Sequence, residues 1–291
     1  MKFHNTTAGR VFDVVNYVVL IAIGLLALLP FVFVLAGSLA TEAELTRRSF
    51  FLWPETFSVE AYRAIFSTTA FLRSLVTTVC VTAVGTVVQL FFTFTMAYPL
   101  AKRSLPGRTV LINIVLFAMV FSAGLIPTFL VVKALGLLDT YWSLILPLAI
   151  NPFSLIIIKN FFQELPVELE ESAKVDGANE LSILLRILLP LCKPVLATFA
   201  LFYAVSIWND FMSPLIYLND SEKWTLQMYL RQVTVSANLS AGGAPIDPNY
   251  IPPAQGVKFA VVIVATVPIM LFYPFLQKHF AKGMLIGSVK G

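Results

Sequence analysis

Two cysteines and two histidines in 291 residues leave little material for metal or redox chemistry. Cys80 and Cys192 are far apart, so neither a disulfide framework nor a metal site is expected. His4 and His279 are equally isolated, so no Ser/His/Asp or Cys/His set can be assembled and no catalytic residue is assigned. No G-x-x-x-x-G-K-[ST] is present, which excludes a P-loop for ATP in this chain. Charge is scarce too, at 12% Asp, Glu, Lys and Arg, where a soluble domain carries about 25%. There is no low-complexity tract and no internal repeat.

What remains is apolar. The chain is 58% hydrophobic with a mean hydropathy of +0.84, the composition of an integral membrane protein. Helices are expected, because each satisfies its own backbone hydrogen bonds in lipid. The apolar segments lack the alternation of a membrane β-barrel. Six charge-free windows can be read: Val14 to Ala40, Ser74 to Ala101, Thr109 to Val132, Thr140 to Ile158, Pro194 to Asn209 and Phe259 to Gln277. A span needs roughly 17–25 residues. The fifth window is short, but it continues past Asp210 to Leu218. The fold expected is all-α and polytopic, with six transmembrane helices.

The net charge of +4 fits orientation better than nucleic acid. Lys2 and Arg10 precede the first span, and Lys102, Arg103 and Arg108 crowd the turn after the second. Lys278, Lys282 and Lys290 follow the last. With Lys159, Lys174, Arg186 and Lys193, these place both termini in the cytoplasm by the positive-inside rule. Arg47, Arg48, Arg63 and Arg73 sit outside and weaken the bias. Ser38-Leu39-Ala40 resembles a signal-peptide cleavage site, but the preceding run is longer than an h-region, so it is read as a retained span. The first helix is expected over about 12–36, with a kink at Pro30. External segments are expected over about 37–70, with amphipathic character near Val59 to Phe66, and over about 219–256. Long loops of this kind are usually functional or disordered.

Between the fourth and fifth spans lies a long polar segment of about 160–190. Pro166 suits the first position of a helix. Glu168, Glu170 and Glu171 suit its first turns, and Lys174 its far end. Asp176 and Gly177 suit its termination in a left-handed turn. A short helix of about 166–176 is therefore expected, with an apolar stripe of Leu165, Leu169 and Ala173. A second helix should begin near Asn179 and be interrupted by Pro190 and Pro194. Such a helix, held by a turn against a span, can pass a push from a partner into the membrane. On local physics alone, a solvated loop that binds nothing is an equal reading.

The spacing decides between them. Glu171, Ser172 and Ala173, three residues, Gly177, nine residues, then Ile187, Leu189 and Pro190 resemble the EAA loop of ABC-importer permeases. Ser172 stands where that family usually has alanine. Trp208-Asn209-Asp210-Phe211 with Pro214-Leu215, Tyr273-Pro274-Phe275 with Lys282-Gly283, and terminal Val289-Lys290-Gly291 are similar to further elements of the carbohydrate, MalG-type branch. Val11-Phe12, Asn16-Tyr17 and the run Phe280 to Ser288 lean towards its LplC-like, YtcP-like and alginate-importer subgroup.

The resemblance implies a single permease domain over 1–291, with a type I importer core at about 70–277. It implies a bacterial inner-membrane location and a heterodimer with a second, homologous permease. It also implies two ATPase subunits holding ATP and Mg, with no cofactor bound here, and a periplasmic or lipid-anchored solute-binding protein. Glu171, Ser172, Ala173, Asp176, Gly177, Ile187, Leu189 and Pro190 would couple to the ATPase, and Val289, Lys290 and Gly291 would reach towards it. The external loop of about 219–256 would meet the binding protein. The cargo implied is an oligosaccharide, with alginate the leading candidate. Trp208, Asn209 and Asp210 are candidates for the pathway or its gate, because acids inside spans usually face a cavity or a partner. A stand-alone secondary transporter would need inverted repeats and midplane charges; only the proline interruptions are present.

Overall fold

A computed structural model describes the backbone of residues 7–242 and 255–287, with side chains over 9–234 and 255–271. Val289, Lys290 and Gly291 lie outside the described residues. Among those described, every regular element is helical, and the one extended pairing is an isolated bridge between Ala40 and Phe57. The chain forms two compact units, residues 1–69 with 232–267, and residues 70–231 with 268–291.

The first unit begins with α1 (Thr7–Ser38), in which Pro30 is accommodated without ending the helix. Its window of highest hydropathy averages 3.1, and none of that window is buried against the rest of the chain. Two short helices follow, α2 (Glu42–Arg47) and the amphipathic α3 (Glu60–Ser67), which buries Ile65. The unit's core is Ala36, Ala40, Leu45 and Phe51, packed against Phe259 near the start of α15 (Gln255–Gly287). Glu42 accepts hydrogen bonds from the first N–H groups of α15, at Gln255 (3.2 Å) and Gly256 (2.7 Å). Those groups have no partner within their own helix, and the dipole there favours a carboxylate. A β-carbon at Gly256 would stand 2.9 Å from the Glu42 carboxylate, so any side chain there would make the carboxylate shift.

The second unit is organised around α4 (Thr69–Ala101). Its buried face carries Ser74, Thr77, Thr78, Gln89 and Thr93, as expected where lipid leaves apolar surface no incentive to turn inwards. The Thr93 hydroxyl meets the Tyr203 hydroxyl at 3.1 Å, and Thr78 accepts from the Leu226 N–H at 2.7 Å. After α4 come α5 (Arg108–Val120) and α6 (Leu125–Ala134), which meet at 117° across a break ending in left-handed Gly124. Next, α7 (Trp142–Ile145) with a 3-10 turn to Leu148 meets α8 (Pro152–Glu164) at 51°. Asn151 starts α8 by accepting from the Ser154 N–H at 3.0 Å.

Two of the expected straight spans are therefore broken. The window Thr109 to Val132 is interrupted at Phe121 to Gly124, where Phe121 turns extended after α5 and Gly124, at φ 82°, precedes the first turn of α6. The window Thr140 to Ile158 is interrupted by Pro147 and Pro152, whose nitrogens cannot donate. Among the described residues, two helices are long and apolar enough to cross a membrane by themselves, and counting each of the three bent pairs as one span raises the number to five. The described apolar part of α15, Gln255–Leu271, is a shorter helix.

Candidate functional site

The polar segment between α8 and the fifth apolar region folds as expected, to within a residue. Helix α9 covers Val167–Val175, and Pro166 stands just before it rather than as its first residue. Its end is a Schellman turn: the Ala178 N–H donates to the Ala173 carbonyl at 2.9 Å and the Gly177 N–H to that of Lys174 at 3.0 Å. Gly177 has φ 79°, a conformation that costs a side-chain-bearing residue about 1–2 kcal/mol. Ser172, in the usual alanine position, donates its hydroxyl to the Glu168 carbonyl at 2.7 Å and so leaves the helix intact.

The reversal at Gly177 leads into α10 (Glu180–Ile183), capped by Asn179, which accepts from the Ser182 N–H at 2.8 Å. A π turn over Leu184–Leu188 follows, then α11 (Leu189–Leu191), then α12 (Lys193–Trp208). The bend between α10–α11 and α12 is 85°. Pro190 and Pro194 account for it, since each removes a donor that a continuous helix would use. Ile187 and Leu189 pack against the core cluster that includes Leu155, Phe162, Ile183 and Leu188, while Pro190 is exposed.

Ala173 is buried and Leu165 packs against the same cluster, so the apolar stripe of α9 faces inwards at both ends. A second stripe faces out: Val167 is 64% exposed, Val175 is 88% exposed, and exposed Glu171 lies between them at i, i+4 spacing. Asp176 is exposed at the end of this helix. An apolar, acidic, apolar row on a short helix is a surface for a groove with a basic residue. Sequence reasoning missed Val167 and Val175, although their spacing from Glu171 was there to be read.

It also missed the joint that holds the loop. Lys102, just past the end of α4, lies 3.1 Å from Glu170 and pairs with Glu180. Lys174 reaches the other Glu180 oxygen at 3.0 Å. The Tyr98 hydroxyl donates to Glu180 at 2.6 Å, and the Lys102 ammonium stands 4.3 Å from the Tyr98 ring centre. Lys102 first, then Tyr98, hold the Glu180 carboxyl down at about 2. The pairs bridge a crevice of about 350 Å³ lined by Thr95, Tyr98, Pro99, Lys102 and Leu184. The last carbonyls of α4 are taken by Arg108 from Leu100 (2.9 Å) and Gln163 from Ala101 (3.0 Å). One helix end thus gathers the start of α5, the end of α8 and both limbs of the loop. Nothing in the local pattern around Lys102 announces partners so distant in sequence.

The third group of candidates is separate from the loop. Trp208 is buried, and Asn209 is exposed with its amide on the Val205 carbonyl at 2.8 Å. Asp210 does not continue the fifth span. Helix α12 stops at Trp208, and the Asp210 carboxylate accepts from the N–H groups of Met212 (3.0 Å) and Ser213 (3.1 Å), starting α13 (Met212–Tyr217). Beyond α13, Asp139 takes the N–H groups of Asn219 and Asp220 and the Lys223 ammonium. Of the loop over about 219–256, α14 (Leu226–Gly242) is described, and residues 243–254 lie outside the described set. No group of three or more His, Cys, Asp or Glu arranged for a metal occurs among the described residues.

The chain is 65% identical over 288 residues to protein LplC of Bacillus subtilis (strain 168), covering 99% of this chain and 98% of that one. It is 53% identical over 284 residues to the polygalacturonan/rhamnogalacturonan transport system permease protein YtcP of the same organism, covering 97% and 99%. Among solved structures it superposes, with a TM-score of 0.85 and 32% identity, on a chain of a bacterial ABC transporter involved in the import of the acidic polysaccharide alginate, covering 94% of this chain and 98% of that one. The fold is that of an ABC-importer permease, a transport protein and not an enzyme. A family profile matches residues 81–286, and the chain belongs to the family of binding-protein-dependent transport system inner membrane components.

Proposed function

We propose that this chain forms half of the translocation pathway of an ATP-driven importer for oligosaccharides, with acidic, uronic-acid-containing chains as its cargo. The reading of the cargo is supported by two similar proteins, one named for polygalacturonan and rhamnogalacturonan transport and one belonging to an alginate importer. Alginate oligosaccharides are thereby one member of the class rather than the only candidate. The chain would act as one permease domain with six spans, each bent pair counting as one and α15 as the sixth, and with both termini in the cytoplasm. Its partners would be a second, homologous permease, two ATPase subunits that hold ATP and Mg, and a solute-binding protein meeting the 219–256 region.

The observation that carries the coupling role is the outward stripe of Val167, Glu171 and Val175 on a helix clamped at Lys102 and reversed at Gly177. A short helix braced at Glu170 and, beyond its reversal, at Glu180 transmits displacement instead of bending under it. ATP-driven closure of the ATPases would move this helix and its counterpart together, and the 85° bend at Cys192 would turn that motion into rotation of α12. Trp208, Asn209 and Asp210, at the break between α12 and α13, would be the gate element. The terminal Val289, Lys290 and Gly291 would reach the ATPase interface.

The test is co-expression of a tagged chain with the second permease, ATPase and binding protein, followed by ATPase assay in lipid. Retention of both partners is expected, with hydrolysis stimulated by binding protein loaded with oligogalacturonide or oligoalginate and not by a neutral maltodextrin. A chain that purifies alone and transports without an ATPase would return the secondary-transporter reading. Stimulation by the neutral sugar alone would overturn the acidic cargo.

A further inference from the structure

Helix α4 runs unbroken over 33 residues, whereas the three bent pairs of the same unit turn by 51° to 117°. Its C-terminal end holds the 160–190 loop through Tyr98 and Lys102. Its N-terminal end holds the segment that leads into α14. There the buried Thr78 side chain bridges two helices. Its hydroxyl donates to the Ser74 carbonyl at 2.8 Å and accepts from the Leu226 N–H at 2.7 Å. Leu226 is the first residue of α14, so α4 supplies the acceptor for a group that α14 cannot satisfy itself. Around this joint the Phe71 ring meets that of Tyr229 edge-on at 5.8 Å, and Arg73 pairs with Glu222 at 2.7 Å.

The separation of the two joints matches a membrane. From Thr78 to Tyr98 is about 30 Å of helix, the thickness of a bilayer's hydrocarbon core. Coupling between distant sites is carried by rigid elements and hydrogen-bond networks, and α4 with its two joints supplies both. The route along the chain itself is poorer. Going back from Leu226, it passes the break between α13 and α12 at Asn209 to Phe211, and then the 85° bend at Cys192, before it reaches the 160–190 loop.

We propose that α4 relays docking of the solute-binding protein across the membrane to the ATPase-facing loop. Thr78 is the positioning residue that fastens the start of α14 to α4, and Tyr98 and Lys102 hand the movement to Glu180 and Glu170. The proposal rests on the reading that the 219–256 region meets the binding protein and that α9 meets the ATPase.

The experiment uses the full chain assembled with its partners in lipid nanodiscs. ATP hydrolysis and hydrogen exchange over residues 167–180 are measured with and without binding protein loaded with oligogalacturonide. In the unaltered chain the loaded protein should change exchange over 167–180. Thr78→Val removes the bridging hydroxyl. It should abolish that change and lower stimulated hydrolysis severalfold, with basal hydrolysis, and exchange in the absence of binding protein, as in the unaltered chain. Thr78→Ser keeps the hydroxyl and should restore both responses. Arg73→Met cuts an exposed tie to the same segment and should weaken the response less; it decides the test if Thr78→Val does not assemble. A full response in the deciding variant would send the signal by another route and overturn the proposal. Exchange over 167–180 that rises in Thr78→Val even without binding protein would make Thr78 a packing residue only, and would overturn it equally. An unaltered complex that the loaded protein leaves unstimulated would instead refute the importer reading, and the proposal with it.

Discussion

The loop at the end of α4 and the loop after α1 solve the same problem in opposite ways. Each is a short segment held to a long apolar helix by carboxylates and basic side chains. In the 160–190 loop the carboxylate at the centre is Glu180, whose side chain is 56% exposed and shared among Lys102, Lys174 and Tyr98. In the 48–57 loop it is Glu44, whose side chain is 4% exposed and which holds backbone groups. Exposed ion pairs are weak and exchange partners readily. A buried acceptor whose donors have no other partner does neither. The first arrangement suits a part that must be pushed and must return, the second a part that must stay where it is.

Four substitutions or conditions would break or sharpen that contrast, from the largest effect to the smallest. Gly177→Val places a β-branched residue at φ 79° in otherwise open space, so the cost is backbone strain of about 1–2 kcal/mol. Transport should fall about tenfold, the factor that corresponds to 1.4 kcal/mol, while membrane insertion is unchanged. Gly177→Asn should recover part of it, since asparagine tolerates the left-handed region. Glu44→Ala should open the 48–57 loop to protease and to hydrogen exchange at Glu55 and Thr56, with ATPase binding intact. Equal exchange in both proteins would show that Glu44 does not hold the loop.

Lys102→Met removes the joint at α4, at about 0.2–1 kcal/mol for an exposed pair. ATPase stimulation by binding protein should drop severalfold with the complex still assembled, and Lys102→Arg should restore most of it. Acid should do least. The folded Glu180 carboxyl is depressed from 4.5 to about 2, so its contribution is full above its unfolded value and is lost only as pH falls towards about 2. Hydrogen exchange over residues 167–180, corrected for its intrinsic pH dependence, should therefore be the same at pH 7 and pH 5.

The 160–190 loop was legible because its information is local. A proline, a run of acids, a glycine and two more prolines specify a helix, a reversal and a break wherever they occur in a chain. The broken spans were not legible from apolar windows, because hydropathy does not register the φ 82° at Gly124 or the donor missing at Pro152. The break at Asp210 was hidden for a related reason. An acid flanked by apolar residues reads as part of a continuing span, whereas here it begins a new short helix. Lys102 and Glu180 were visible as charges but not as partners, since only the folded chain brings them together.

The contact between Glu42 and the start of α15 joins residues 213 and 214 positions apart. It belongs to a unit built from residues 1–69 and 232–267, whose two segments are far apart in the chain. During synthesis the first of those segments emerges long before the second. The carboxylate of Glu42 must wait for Gly256 to be translated, so this clasp reports that the chain has been made at least to the start of α15.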